Sequence, residues 1–334
     1  MKNFVKIFGT QSLWLCVVVL AAVMGFAASC GGGGSSNSGS GGGPVINNPD
    51  GPDTGDPEGG IKVKTYDDYP AALYLGDPLD GGVPKDIEGE TGDTVIEKAV
   101  AYIKNNAAPG RAYFLLLDED VEVTGWTVIY LNVSNFNLTL IGIGGERVIT
   151  RENGGPYFVG VGGGGLVDIV LTLDDNITFK GFAALGSNLF QVEEGGTLIM
   201  NGASKITGNN KGGGGGAVFI SKGTFIMNSG TISDNTSTSS GGGVLLTSGS
   251  SFTMNGGTIS GNSSGDYGGG VFVASGGSFI KTGGTIYGNV GSPNGNYAGS
   301  SGHAVYVDGS PIKYMDSTVG PEITLNSDEL DNWE

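Results

Sequence analysis

The stretch Ser251–Ser275, "SFTMNGGTISGNSSGDYGGGVFVAS", decides the fold because its neighbours repeat it. The residues before it read "GTFIMNSGTISDNTSTSSGGGVLLTS", and those after it begin "GSFIKTGGTIYGN". Met200, Met227 and Met254 stand 27 residues apart, with Lys281 at the next step; Leu198, Phe225, Phe252 and Phe279 keep the same spacing. Ile206, Ile232, Ile259 and Ile286 follow at 26 or 27, as do Asn209, Asn235, Asn262 and Asn289. Val218, Val244 and Val271 complete each cycle, and Val305 does so after the insert "VGSPNGNYAGSSG". A period of this length marks stacked repeats.

Each copy holds three β-type segments, in the middle copy "SFTMN", "GTISGN" and "GGGVFVA", and none has a helical apolar period. Phe252 and Met254 fall on one side of a strand and Thr253 on the other. Three short strands per ~27-residue coil, separated by Gly-rich turns, describe a single-stranded parallel β-helix whose coils stack at ~4.8 Å. One copy cannot bury its own apolar side, so the Phe, Met, Ile and Val columns must stack inside a cylinder. Stacked amides can bond donor to acceptor, so Asn209, Asn235, Asn262 and Asn289 are expected to form a ladder; a glycan- or metal-binding row is the alternative.

The clear repeats cover 196–309. Upstream, "AYFLLLDEDVEVTGWTVIYLNVSNFNLTLIGIGGERVITRE" and "GLVDIVLTLDDNITFKGF" are β-rich runs broken by Gly, Asn and Asp, and read as diverged coils. The β-helix is thus expected over 111–310, with about seven coils and a length of ~35 Å. Residues 61–110 are expected to form an N-terminal cap around a helix at about 94–106, "TVIEKAVAYIKNN". Thr94 with Glu97 makes a capping box, and Ile96, Ala99, Val100 and Ile103 make an apolar face. Such a helix would cover an edge that otherwise invites aggregation. Residues 311–334, ending "GPEITLNSDELDNWE", are expected to cap the other end.

The N-terminus bears on the compartment. Lys2 and Lys6 precede an apolar run from Leu13 to Ala28, short for a spanning helix, and "FAASC" leads into Cys30. This resembles the lipobox of bacterial lipoproteins, with Ala27 where the pattern prefers Leu, and implies a signal peptide over 1–29 and lipidation of Cys30. The competing reading is an ordinary secretory signal or an uncleaved anchor. Residues 30–60 are rich in Gly, Ser and Pro and cannot bury enough apolar area to order themselves; as a flexible tether they reach on the order of 30 Å. Cys16 lies within the presumed signal, so no intrachain disulfide is expected in the mature chain. The formal charge of −17 becomes −19 once Lys2 and Lys6 are removed. That balance disfavours nucleic acid as a partner.

"GGAV" (Gly215–Val218), "FIMN" (Phe225–Asn228) and "FTMN" (Phe252–Asn255) resemble the GGA[ILV] and FxxN repeats of polymorphic outer membrane proteins. The whole layout is similar to spirochaete-type surface lipoproteins. The resemblance implies a right-handed β-helix, an outer-membrane or cell-surface location and an adhesive role. It departs from the polymorphic proteins in lacking, up to Glu334, the membrane barrel that exports them.

Parallel β-helices also host polysaccharide lyases and hydrolases, which need clustered carboxylates with a basic or acid/base partner. The candidates are Asp118, Glu119, Asp120 and Glu122, and the pair Asp174 and Asp175; the first set suits a solvated face and the second a tight turn. His303, the one histidine, sits at a glycine position of the repeat without a nucleophile context. The run Gly212–Gly216 lacks the Lys-Ser/Thr of a phosphate loop, and the "GGGGLVD" run ending at Asp168 falls short of a calcium-binding nonapeptide. No cofactor or metal is expected. If Val244 and Val271 point inward, then Phe219, Leu245, Phe272 and Tyr306 form an outward column, which can bind a glycan or protein or simply stack on itself. The sequence thus reads as a non-enzymatic, lipid-anchored structural or adhesin-like protein; a carbohydrate-active enzyme is the alternative.

Overall fold

The computed structural model describes residues 64–309, apart from 107–109, 125–128, 153–156, 183, 185 and 289–293, together with the backbone of 312–314 and 323–325. Cys30 and the 1–60 region therefore lie outside the described residues. The chain from Ala112 onward forms a parallel β-solenoid of about six turns, close to the seven coils expected. Strands from successive coils pair in parallel into three long sheets. The first contains Ala112–Leu117, Asn137–Gly142, Ile169–Leu173 and Gly196–Met200, then Thr224–Met227, Ser251–Met254 and Ser278–Lys281. The second runs in seven strands from Val121–Val123 to Thr285–Ile286, and the third in seven from Ile129–Leu131 to Val305–Val307.

Register follows the sequence columns. Phe225 pairs with Phe252 and Phe252 with Phe279, while Ile206, Ile232, Ile259 and Ile286 align in the second sheet and Val218, Val244, Val271 and Val305 in the third. These side chains are fully buried or nearly so. The Phe252 ring lies between the other two, at 4.6 Å from Phe225 and 4.9 Å from Phe279, with planes within 20° of parallel. Lys281 ends the Met column and is itself buried.

A coil of the regular region has more than the three strands expected. Between the second and third sheets a fourth ladder joins Asn210–Lys211, Thr236–Ser237, Ser263–Ser264 and Tyr297–Ala298. Beside it stands the asparagine ladder. The Asn235 Nδ2 donates to Asn262 Oδ1 at 3.0 Å, and Asn262 Nδ2 to Asn296 Oδ1 at 3.0 Å. Asn209 joins through its backbone N–H, which donates to Asn235 Oδ1. The rung after Asn262 is Asn296; Asn289 lies outside the described residues. After the insert, Asn296 Oδ1 accepts both the backbone N–H and the Nδ2 of Asn262.

The corner into the third sheet explains the glycine triplets. Gly215, Gly241, Gly268 and Gly302 all have positive φ, a region that costs a residue with a Cβ. A Cβ on Gly216 would stand 2.0 Å from the Gly242 carbonyl oxygen one coil on, and one on Gly242 2.4 Å from that of Gly269.

At the start of the solenoid, helix α1 (Val95–Asn106) buries Ile96, Ala99, Val100 and Ile103 in the main core. The capping box is formed: Glu97 N–H donates to Thr94 Oγ1 at 3.3 Å and Thr94 N–H to Glu97 Oε2 at 2.8 Å. Two strands that sequence periodicity does not reveal continue the first sheet: Leu73–Leu75 pairs antiparallel with the first-coil strand Ala112–Leu117, and Val83–Lys85 pairs antiparallel with Leu73–Leu75. The adjoining segment covers that sheet's outer face, where Tyr74, Leu116, Ile141 and Ile143 form a second apolar cluster. A further antiparallel pair, Ile312–Tyr314 with Ile323–Leu325, extends the other edge.

Candidate functional site on the outer face of the third sheet

Alternation puts Val218, Val244, Val271 and Val305 inside, so their strand neighbours face outward. Phe219, Leu245, Phe272 and Tyr306 are in register with one another and half-buried. The row extends further back than the sequence suggests, through Gln191 and Gly160 to Tyr130. Seven rungs give it a length of roughly 29 Å.

Its two halves differ. In the later half the rings serve one another: Phe272 and Tyr306 stack with centroids 5.7 Å apart and planes 4° from parallel, and Tyr267 lies 4.5 Å from Tyr306. Lys211 Nζ sits 5.3 Å from the Phe219 ring centroid and donates to Asn188 Oδ1. Burial lowers this ammonium to about 8. Tyr267 and Tyr297 remain 38% and 51% exposed, the first against the Tyr306 ring and the second, in the fourth ladder, 5.6 Å from the His303 ring.

The earlier half is polar and aromatic. The Tyr130 hydroxyl donates to Glu193 Oε2 at 3.4 Å, and Gln191 Nε2 donates to Glu193 Oε1 at 2.6 Å. The Tyr130 and Tyr157 rings lie 6.0 Å apart over Gly160. A Cβ on Gly160 would come within 2.4 Å of one ring and 2.6 Å of the other, so this rung must be glycine for both rings to lie there. Burial, with the Glu193 carboxylate adding to it, raises both hydroxyls above the ordinary tyrosine range.

The other candidates fall elsewhere. Asp118, Glu119, Asp120 and Glu122 are exposed and line a cleft of about 560 Å³, which Asp86, Glu88 and Lys85 also border. Asp120 Oδ1 accepts the Val148 N–H and so braces the next coil. Asp174 and Asp175 lie at the expected turn: Asp174 Oδ1 accepts the Asp175 N–H, and Asp175 Oδ1 the Ala203 N–H. Asp174 is pushed above the ordinary carboxylate range, first by burial. Asp174 also begins an outward column with Asn201, Asn228 and Asn255, whose amides bond in series at 2.9 and 2.8 Å. His303 Nδ1 accepts the Ala298 N–H at 2.9 Å, tying the last insert to its coil. Among the described residues no group of three or more His, Cys, Asp or Glu side chains is placed to hold a metal.

Sequence reasoning missed Tyr130, Tyr157, Gln191, Glu193, Lys211 and Tyr267. The first four lie in coils that diverge from the 27-residue pattern; Lys211 lies in a two-residue strand of the fourth ladder and Tyr267 in a single bridge, both too short for alternation to set a direction. What these residues define is a parallel β-solenoid with an aromatic outer row along one sheet. No family model, curated protein or solved structure matches the chain.

Proposed function

We propose that this is a non-enzymatic surface protein, lipid-anchored through Cys30, whose third sheet binds an extended ligand, most simply a glycan. The observation that carries the reading is the in-register outward row from Tyr130 to Tyr306. Aromatic rings with hydrogen-bonding neighbours suit sugars, which present both apolar ring faces and hydroxyls. On this reading the "FAASC" motif places the protein in the outer membrane, and residues 30–60 hold the solenoid clear of the surface. Helix α1 and residues 311–334 close its two ends. The coil is right-handed, as crossovers between parallel strands overwhelmingly are.

Leu245→Lys tests the row. A ligand lying on it would have to desolvate an unpaired ammonium, at a cost of several kcal/mol, while Val244 and Leu246 keep the core. In a glycan and protein binding screen the variant should lose the ligand and keep its melting temperature. Unchanged binding with unchanged stability would reduce the row to self-stacking. Fatty-acid labelling lost in Cys30→Ser tests the anchor; persistent label would remove it. The 560 Å³ cleft with its six carboxylates and Lys85 favours the alternative, a carbohydrate-active enzyme, and release of oligosaccharides from a polysaccharide panel would establish that instead.

A further inference from the structure

Tyr130 begins the outward row and also lines a recess of about 270 Å³ against helix α1. The helix contributes the stripe Glu97, Val100, Ala101 and Lys104, one turn apart on one side. The recess is near the ~300 Å³ lower end of small-molecule sites, enough for a single ring. We infer that it takes a carboxylate-bearing sugar at the end of the glycan lying along the third sheet, with Lys104 facing the carboxylate and Tyr130 facing the ring.

This rests on the reading of the row as a glycan face. The Lys104 ammonium is half-buried and has no hydrogen bond or ion pair among the described residues. Burial holds it below the ordinary lysine range. A ligand carboxylate supplies the missing counter-charge. Glu97 is already committed: its Oε2 accepts from Asp93 N–H at 3.0 Å, Thr94 N–H at 2.8 Å and Thr94 Oγ1 at 3.0 Å. Tyr130 is held through its hydroxyl by Glu193, which leaves the ring in place between the recess and the row. The net negative charge, −17 for the full sequence and −19 without Lys2 and Lys6, repels an acidic ligand at long range. Salt screens that repulsion more than it screens a close, partly buried pair.

The probes are oligosaccharides ending in a hexuronate and the same oligosaccharides after carboxyl reduction, titrated against the full mature protein in physiological salt. The expected result is roughly ten- to hundredfold weaker binding of the reduced form, the scale of a charge-assisted contact. Lys104→Gln should abolish that preference without lowering the melting temperature, since it removes a desolvated charge and leaves the capping box intact. The comparison of ligands on the wild type stands even where a variant folds poorly. Equal binding of both forms, lost in Leu245→Lys, would overturn the recess assignment and leave the row standing. Binding of neither form would remove the glycan reading together with this one.

Discussion

Phe252 is held on both faces by rings from adjacent coils and is fully buried, whereas Thr253, its strand neighbour, faces outward. Phe252→Ala should therefore cost roughly 3–5 kcal/mol, the range for large-to-small core changes. Thr253→Ala should cost under about 1 kcal/mol. Denaturant melts compare the two, and equal losses would mean that the assignment of the two faces is wrong. Asp174 is a second residue whose setting makes a prediction. Burial raises its carboxyl, so in the folded state it keeps its proton to higher pH than in the unfolded chain. Stability must then fall as pH rises from the unfolded value near ~3.9 through the folded one, and the penalty persists above it. Asp174→Asn removes the penalty, so the variant should gain on the wild type at pH 7 and show no gain at pH 3. A gain that is the same at both pH values would mean that ionisation is not the cause.

At the scale of elements, the two asparagine ladders share a chemistry and differ in setting. The inner one is buried, and there Asn262 donates to Ile232 O and Asn296 Oδ1 while its own Oδ1 accepts from the Asn235 backbone N–H and Nδ2. Asn262→Leu would orphan several of these groups at about 1–3 kcal/mol each. Asn228→Ala in the exposed ladder returns its partners to water and should cost under about 1 kcal/mol. Thermal melts of the pair should separate clearly; similar losses would mean the inner ladder is hydrated. The inner ladder was legible in the sequence from Asn209 to Asn262, where one residue type recurs at 26 or 27, but not at Asn296, which stands 34 residues beyond Asn262. The exposed one was half legible, as the Asn of the FxxN repeats. The fourth ladder was not, since Thr236–Ser237 and Ser263–Ser264 are two-residue strands with no apolar alternation. Leu73–Leu75 and Val83–Lys85 were not legible either, because pairing rather than local pattern makes them strands, the first with the opening coil and the second with the first. The outer row was read from Phe219 onward and lost before it, where Gly160 and Gln191 interrupt the apolar signal. The Lys104 recess depends on how α1 meets the first rung, which no spacing encodes.

At the scale of the whole molecule, a solenoid is held by contacts between neighbouring coils, so its stability is close to a sum over coils and interfaces. That makes the length of the chain adjustable in units of one coil and in no other unit. Residues 228–254 make up one full period. Deleting them joins Met227 to Asn255, a residue at the same place in its own coil as Asn228. Ile259 then takes the position of Ile232, Asn262 that of Asn235 and Val271 that of Val244, so the core columns and the inner ladder close up one rung shorter. The shortened protein should keep a strand-type circular dichroism spectrum and a cooperative melt, with a denaturant m-value lower by on the order of a tenth, following the lost buried surface. Deleting 228–240 removes about half a coil and carries the first-sheet strand into the wrong turn. Every later inward side chain would then face the wrong neighbour, and that protein should fail to fold. If both deletions proved equally destructive, the coils would be bound by something longer in range than their neighbours, and nearest-neighbour stacking would not describe this chain.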